Sequence, residues 1–304
     1  MIRIINNRTF ILVLAFFAGL ALSDIARHIS FLTLPALAVV LTVSVTQVPV
    51  NDFWPLRTVV WPITVALLLN FFLLGTLILI LAWWLMPTHD LWVGYVLVAA
   101  APPGIAIIPF THILNGKIKI SIVGTFGVYL LSLFLTPTII YIFTGEASVS
   151  PVNLFYTMTL LIIVPIIAAQ LIRRVKYKLY IDKWRGMIIN WGFFVVIFSV
   201  VGVNRDVFLK DYHVLIPVSL VAIISSFGLA AVVETLGKKF GIAARERHSY
   251  LLFSTIKTSA FAAAVGLALY NEAVSVPGAV ISAWYALYFI FLGIKGEKIK
   301  KASP

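Results

Sequence analysis

The sequence predicts an all-α integral membrane protein of ten transmembrane helices, and three observations lead there. Of 304 residues, 62% are hydrophobic and 11% charged, with a mean hydropathy of +1.06. A soluble domain carries about 45–50% apolar and about 25% charged residues. The apolar residues fall into ten runs divided by short polar breaks. One bilayer crossing needs about 20 mostly apolar residues, so ten crossings use nearly the whole chain and leave no separate soluble domain. The basic residues, finally, sort almost entirely to one side of that arrangement.

Taken in order, the first run covers 9–25 and is too long and too well continued to be a cleaved leader. The second, 31–49, ends before Asn51-Asp52, and the third, 58–87, opens after Arg57. The fourth, 91–114, lies between His89-Asp90 and Asn115-Gly116-Lys117, and the fifth, 118–144, stops at Gly145-Glu146. The sixth, 152–172, ends at Arg173-Arg174, and the seventh, 186–204, ends at Arg205-Asp206. The eighth, 213–237, is closed by Lys238-Lys239. The ninth, 248–271, follows Arg245-Glu246-Arg247, and the tenth, 275–294, runs into Lys295.

With the N-terminus in the cytoplasm, nineteen of the 23 basic residues fall on the cytoplasmic side, including Arg3, Arg8, Lys176 and the tail lysines from Lys295. Arg27, Arg205 and Lys210 fall on the other side. This is the positive-inside asymmetry of ten spans with both ends inside, in a cell (inner) membrane, and one span more or fewer would scramble it. The formal charge of +12 then reflects topology, and a nucleic-acid partner loses its motive. Five is an odd number, so a second five-span unit enters the bilayer in the opposite sense, the plan of an inverted repeat. On this division 1–172 holds the first repeat, the sixth helix and the 145–151 connection, and 173–304 holds the rest.

Cysteine is absent, which excludes disulfides and a cysteine nucleophile, and the five histidines have no metal-ligand spacing. No nucleophile–base pair is visible, so no enzyme is expected. Two spans are irregular. The fourth contains Ala101-Pro102-Pro103-Gly104, with Pro109 close behind. Two prolines and a glycine together predict unwinding, which a bilayer tolerates only inside protein or beside a water-filled cavity. A plain proline kink is the simpler alternative. The ninth contains Phe253 through Ala260 with Lys257, the one basic residue outside the two-sided count. Nine residues past His248, it sits roughly 13–15 Å deep, near the midplane. A lysine there reads as functional, and snorkelling is difficult at that depth. All eleven acids map to span ends or loops, so Lys257 has no carboxylate partner in the membrane. Such an ammonium titrates, bonds to neutral oxygens or pairs with an anionic substrate.

The stretch Ala101-Pro102-Pro103-Gly104 through Asn115-Gly116-Lys117, then Ser121 to Leu135-Thr136-Pro137, resembles the bile acid:sodium symporter family. So do Thr258 to Ala264, Val276-Pro277-Gly278-Ala279 and Ser282-Ala283-Trp284. The resemblance runs through essentially the whole chain. It implies a core built from residues near 58–144 and 213–294, a panel from 9–49 and 152–204, helices four and nine crossing at the midplane, and two sodium ions behind the crossing. Transferred to this chain, Asn70 falls where the family has a sodium-site glutamine, and Ser121 and Thr125 match sodium-site hydroxyls. Ile107 and Ile108 stand where the family has a serine and an asparagine. Phe253 stands at a shared sodium-site glutamate, Lys257 at a glutamine ligand and Thr258 at an asparagine near the substrate; Ser259 follows it.

These departures lead to one expectation for this chain in its lipid bilayer: sodium-independent transport of a small organic anion, with Lys257 replacing a bound cation and Asn70, Ser121 and Thr125 as its hydrogen-bonding partners. The hydroxyls are alternatively ordinary packing residues. Half-helix N-termini and Lys257 share a positive sign, which favours an anionic head. No cofactor is expected beyond protons. The alternatives are a sodium-coupled organic anion symporter and a cation/proton antiporter-like protein, the latter normally needing a midplane Asp.

Overall fold

Backbone N–H and C=O groups inside a bilayer must be satisfied within the protein, which leaves helices for a chain this apolar. The computed structural model describes residues 8–46, 57–145, 151–174 and 178–302, and every named element in them is helical. Arg3, Asp52, Glu146, Lys176 and the end of the predicted second span lie outside the described residues.

The helices are α1 (Arg8–Ala21), α2 (Thr33–Val45), α3 (Arg57–Leu85), α4 (His89–Ala100), α5 (Ile107–Ile113) and α6 (Ile118–Thr144). They continue as α7 (Pro151–Arg174), α8 (Lys178–Val203), α9 (Tyr212–Lys239), α10 (Ala244–Thr255), α11 (Ser259–Leu269) and α12 (Glu272–Ala302). Six of these runs are long and apolar enough to cross a membrane, and four shorter apolar helices accompany them. The protein is an all-helical, multi-pass membrane protein.

Local chemistry sets the ends. Thr88 caps α4 by accepting from the Leu91 N–H, and the Asp211 carboxylate caps α9 through the Val214 N–H. Gly145, at φ +74°, closes α6. Differences from the expected spans appear, and the helix of the seventh span begins at Lys178 rather than near residue 186. The first run breaks at Leu22, after which Ser23–His28 forms its own short helix. The last helix continues through the basic tail to Ala302.

Single prolines do not break these helices: Pro62, Pro137, Pro165, Pro217 and Pro277 all lie inside continuous ones. The Pro102-Pro103-Gly104 cluster does, and residues 101–106 separate α4 from α5. The second break, at residues 256–258, separates α10 from α11. Two π-helical turns, Leu68–Gly75 in α3 and Ile224–Gly228 in α9, each bury polar side chains: Asn70 in the first, Ser225 and Ser226 in the second.

α8 packs against α1 and α2, and α7 packs on α2. Elsewhere α12 packs on α4 and α11, α6 on α3 and α4, and α10 on α9. Small residues permit these approaches: a Cβ on Gly278 would stand 2.5 Å from the Ala263 backbone nitrogen. At one end of the bundle Glu234 accepts from Arg247 (3.1 Å) and Lys295 (2.9 Å), tying α9, α10 and α12 together.

Candidate functional site at the helix crossing

The two unwound segments run antiparallel across each other. The Gly104 N–H donates to Ile256 O (3.1 Å), and the Thr258 N–H donates to Pro102 O (3.0 Å). Prolines 102 and 103 have no N–H to give, so Gly104 is the donor on that strand. The Lys257 N–H turns instead to the Tyr285 hydroxyl (2.9 Å), which itself donates to Thr255 O (3.1 Å). Gly104 is required by space: a Cβ there would lie 2.6 Å from Ile256 Cγ2 and 3.1 Å from Lys257 O.

Each break leaves carbonyls at a helix C-terminus without partners, and those ends carry partial negative charge. At α4 the Lys257 Nζ supplies the missing donors, to Ala99 O (2.6 Å) and Ala101 O (2.8 Å), while Thr136 Oγ1 donates to Ala100 O (2.6 Å). The Lys257 Nζ also lies 4.2 Å from the centroid of the Phe71 ring. Lys257 is 2% exposed. Among the described residues no carboxylate pairs with it, and no Asp or Glu is buried. At α10 the Asn70 amide does the equivalent work, donating to Phe253 O (2.9 Å) and Ile256 O (3.1 Å).

The other sequence-named residues gather around this crossing with different partners from those expected. Lys257 does not bond to Asn70, Ser121 or Thr125; backbone carbonyls take that role, because the break exposes them within reach of the ammonium. Ser121 Oγ accepts from Thr111 (2.7 Å), and Thr125 Oγ1 and Asn70 Oδ1 are buried with no hydrogen-bond partner. Thr258 Oγ1 donates to Pro103 O (3.0 Å) and lies 3.0 Å from the Tyr129 hydroxyl. Ser259 and Ser282 share a hydrogen bond of 2.9 Å. Ile107 is buried in the main apolar cluster, Ile108 packs beside Val45, Phe126 and Ala169, and Phe253 is fully buried with its ring against Gly124.

Sequence reasoning missed Phe71, Tyr129, Thr136, Tyr285 and Tyr288. The three-residue spacing of Tyr285 and Tyr288, one face of α12, was a signal; Tyr288 donates to Thr255 Oγ1 (2.9 Å). A cleft of about 50 Å³ opens beside the crossing, lined by Gly104, Lys257, Thr258 and Ser259 and, across from them, by Leu37 and Phe193 of α2 and α8.

The model of the Sodium Bile acid symporter family matches residues 34–211 of this chain. The chain belongs to that family. Its members are transporters, and the setting of multiple apolar helices agrees with a membrane carrier for small organic anions. In this symporter-family chain the matched region takes in the Pro102-Pro103-Gly104 break, Asn70, Ser121 and Thr125, and ends before α10, which carries Phe253. No curated protein matches the chain.

Proposed function

We propose that this chain is a sodium-independent carrier of an organic anion that works by alternating access, with Lys257 as a tethered substitute for a bound cation. The observation that carries the proposal is the Lys257 ammonium on Ala99 O and Ala101 O at the C-terminal end of α4. A cation belongs at a helix C-terminus. Here it is covalently attached and cannot be exchanged with solvent. The buried Phe253 ring, where the family resemblance places a glutamate, removes the carboxylate a sodium ion would use.

The anion's head group would meet the opposite polarity: the N-terminus of α11 at Ser259 and Ala260 lines the cleft beside the crossing. In this reading ten spans in an inverted repeat place both termini in the cytoplasm and the protein in the cell membrane. The helices near 58–144 and 213–294 form the core, and α1, α2, α7 and α8 form the panel it moves against. The sodium-coupled alternative draws on the unpartnered Asn70 Oδ1 and Thr125 Oγ1. Two oxygens without a carboxylate make a poor cation site, which is why the tethered cation is preferred.

Uptake of a radiolabelled organic anion into proteoliposomes decides between them. The expected result is saturable uptake and counterflow that are unchanged when sodium is replaced by potassium or choline on both sides. Uptake that requires an inward sodium gradient overturns the proposal.

A further inference from the structure

A cavity of about 380 Å³ lies at the end of the bundle where α4, α9 and α12 begin and α8 stops. Arg27, Asp90, Asp206, Asp211 and Glu272 line it, and charged side chains of this kind belong in water. Asn204, the residue after α8, lines it too, although it is only 3% exposed. Its amide donates to Ser275 Oγ on α12 (2.7 Å) and to Val200 O (2.8 Å). The Ser275 hydroxyl, fully buried, donates in turn to Glu272 O (2.7 Å). One turn deeper, Val196 and Val200 of α8 meet Ala263 of α11 and Ala279 of α12 around a void of about 10 Å³, room for one water at most. The cleft at the crossing begins at Ile197, seven residues before Asn204, and at Ser282, seven residues after Ser275. That is roughly 10 Å along each helix.

We infer that Asn204 and Ser275 form a clasp that keeps the cleft shut toward the vestibule, on the non-cytoplasmic side in the proposed orientation, and that their hydrogen bond opens in each transport cycle. This rests on the alternating-access reading proposed above and names the contact which that motion must break. α8 belongs to the proposed panel and α12 to the core, so the bond joins the two bodies. The layer beneath it is valine and alanine, which can part without stranding a polar group. One hydrogen bond between membrane helices is weak enough to break and re-form during transport. Once it opens, Asn204 and Ser275 turn toward a vestibule that already holds water-seeking groups, so neither is left unsatisfied.

The test exploits a chain without cysteine. Full-length protein carrying Asn204→Cys and Ser275→Cys is reconstituted in proteoliposomes and bridged by a reducible, methylene-spaced bis-methanethiosulfonate, which the vestibule admits. Counterflow is followed with radiolabelled methanesulfonate, benzenesulfonate and naphthalenesulfonate, which stay charged. Bridging is expected to stop counterflow, reduction to restore it, and the same treatment to leave each single-cysteine variant active. A second measurement needs no substrate: Val200→Cys is labelled in intact cells by a small, membrane-impermeant methanethiosulfonate. Adding Ser275→Ala is expected to speed that labelling by about threefold, the equilibrium shift set by one interhelical hydrogen bond. Thermal unfolding in detergent reports that every variant folds. Counterflow that persists in the bridged protein overturns the clasp, and so does labelling that Ser275→Ala leaves unchanged. If the wild type exchanges none of the three sulfonates, the carrier reading falls for this class of anion, and the labelling comparison still decides the clasp.

Discussion

Lys257 and Asn70 answer the same problem with different donors. Each break in a helix leaves carbonyls that bilayer lipid cannot satisfy, and each of these side chains reaches across from another segment to supply two hydrogen bonds. Removing the donor leaves buried acceptors unpaired, at about 1–3 kcal/mol per group. Lys257→Met is therefore expected to lower the unfolding midpoint in detergent and to abolish uptake, and an unchanged midpoint with full uptake would refute the capping role. Lys257→Arg is expected not to restore it, because a planar guanidinium does not fit a site shaped for a compact ammonium. Asn70→Asp is expected to destabilise more than Asn70→Leu, since a carboxylate would face the Phe253 and Ile256 carbonyls; equal midpoints for the two would contradict this. The lysine was legible in the sequence because depth and charge are read directly along the chain. Its partners were not, because Ala99 and Ala101 contribute main-chain oxygens that carry no side-chain signature.

Among the elements, the contrast between single prolines and the Pro102-Pro103-Gly104 cluster shows what breaks a helix here. Single prolines such as Pro62, Pro137, Pro165, Pro217 and Pro277 lie within continuous helices, whereas the cluster opens a gap within its span. That break was readable from composition alone. The break at residues 256–258 has no proline or glycine; there only the misplaced lysine marked the position. The π-helical turns gave no warning, since an extra residue per turn needs no special side chain, and Asn70 is aimed by one of them. Gly104→Ala places a methyl 2.6 Å from Ile256 Cγ2, so it is expected to reduce uptake strongly and lower the unfolding midpoint. Ile256→Ala removes the obstructing methyl, and the double variant is expected to recover part of that stability. Additive losses in the double-mutant cycle would show that the two residues are not in contact as described.

For the whole molecule, the distribution of basic residues sets the proposed orientation. The chain has no cysteine, so single introduced cysteines report sidedness without interference. Lys210→Cys is expected to react with a membrane-impermeant maleimide in intact cells, and Lys238→Cys only after permeabilisation; the reverse pattern would invert the topology. The places of the apolar helices were largely legible because a bilayer imposes length and polarity, and six of them are long enough to cross one. The fit between helices was not, since it depends on contacts such as Gly278 against Ala263, distant in the chain. The proposal that Lys257 stands in for a bound cation also has an electrical consequence, if the lysine stays charged. If the moving unit carries Lys257 and one monovalent anion, it traverses the membrane field as a neutral body. Empty, it carries one positive charge, and complete passage couples to voltage by about 2.3 kcal/mol per 100 mV. Net uptake would then generate current through the empty return, whereas one-for-one anion exchange would generate none, a difference that capacitive recordings on a solid-supported membrane resolve.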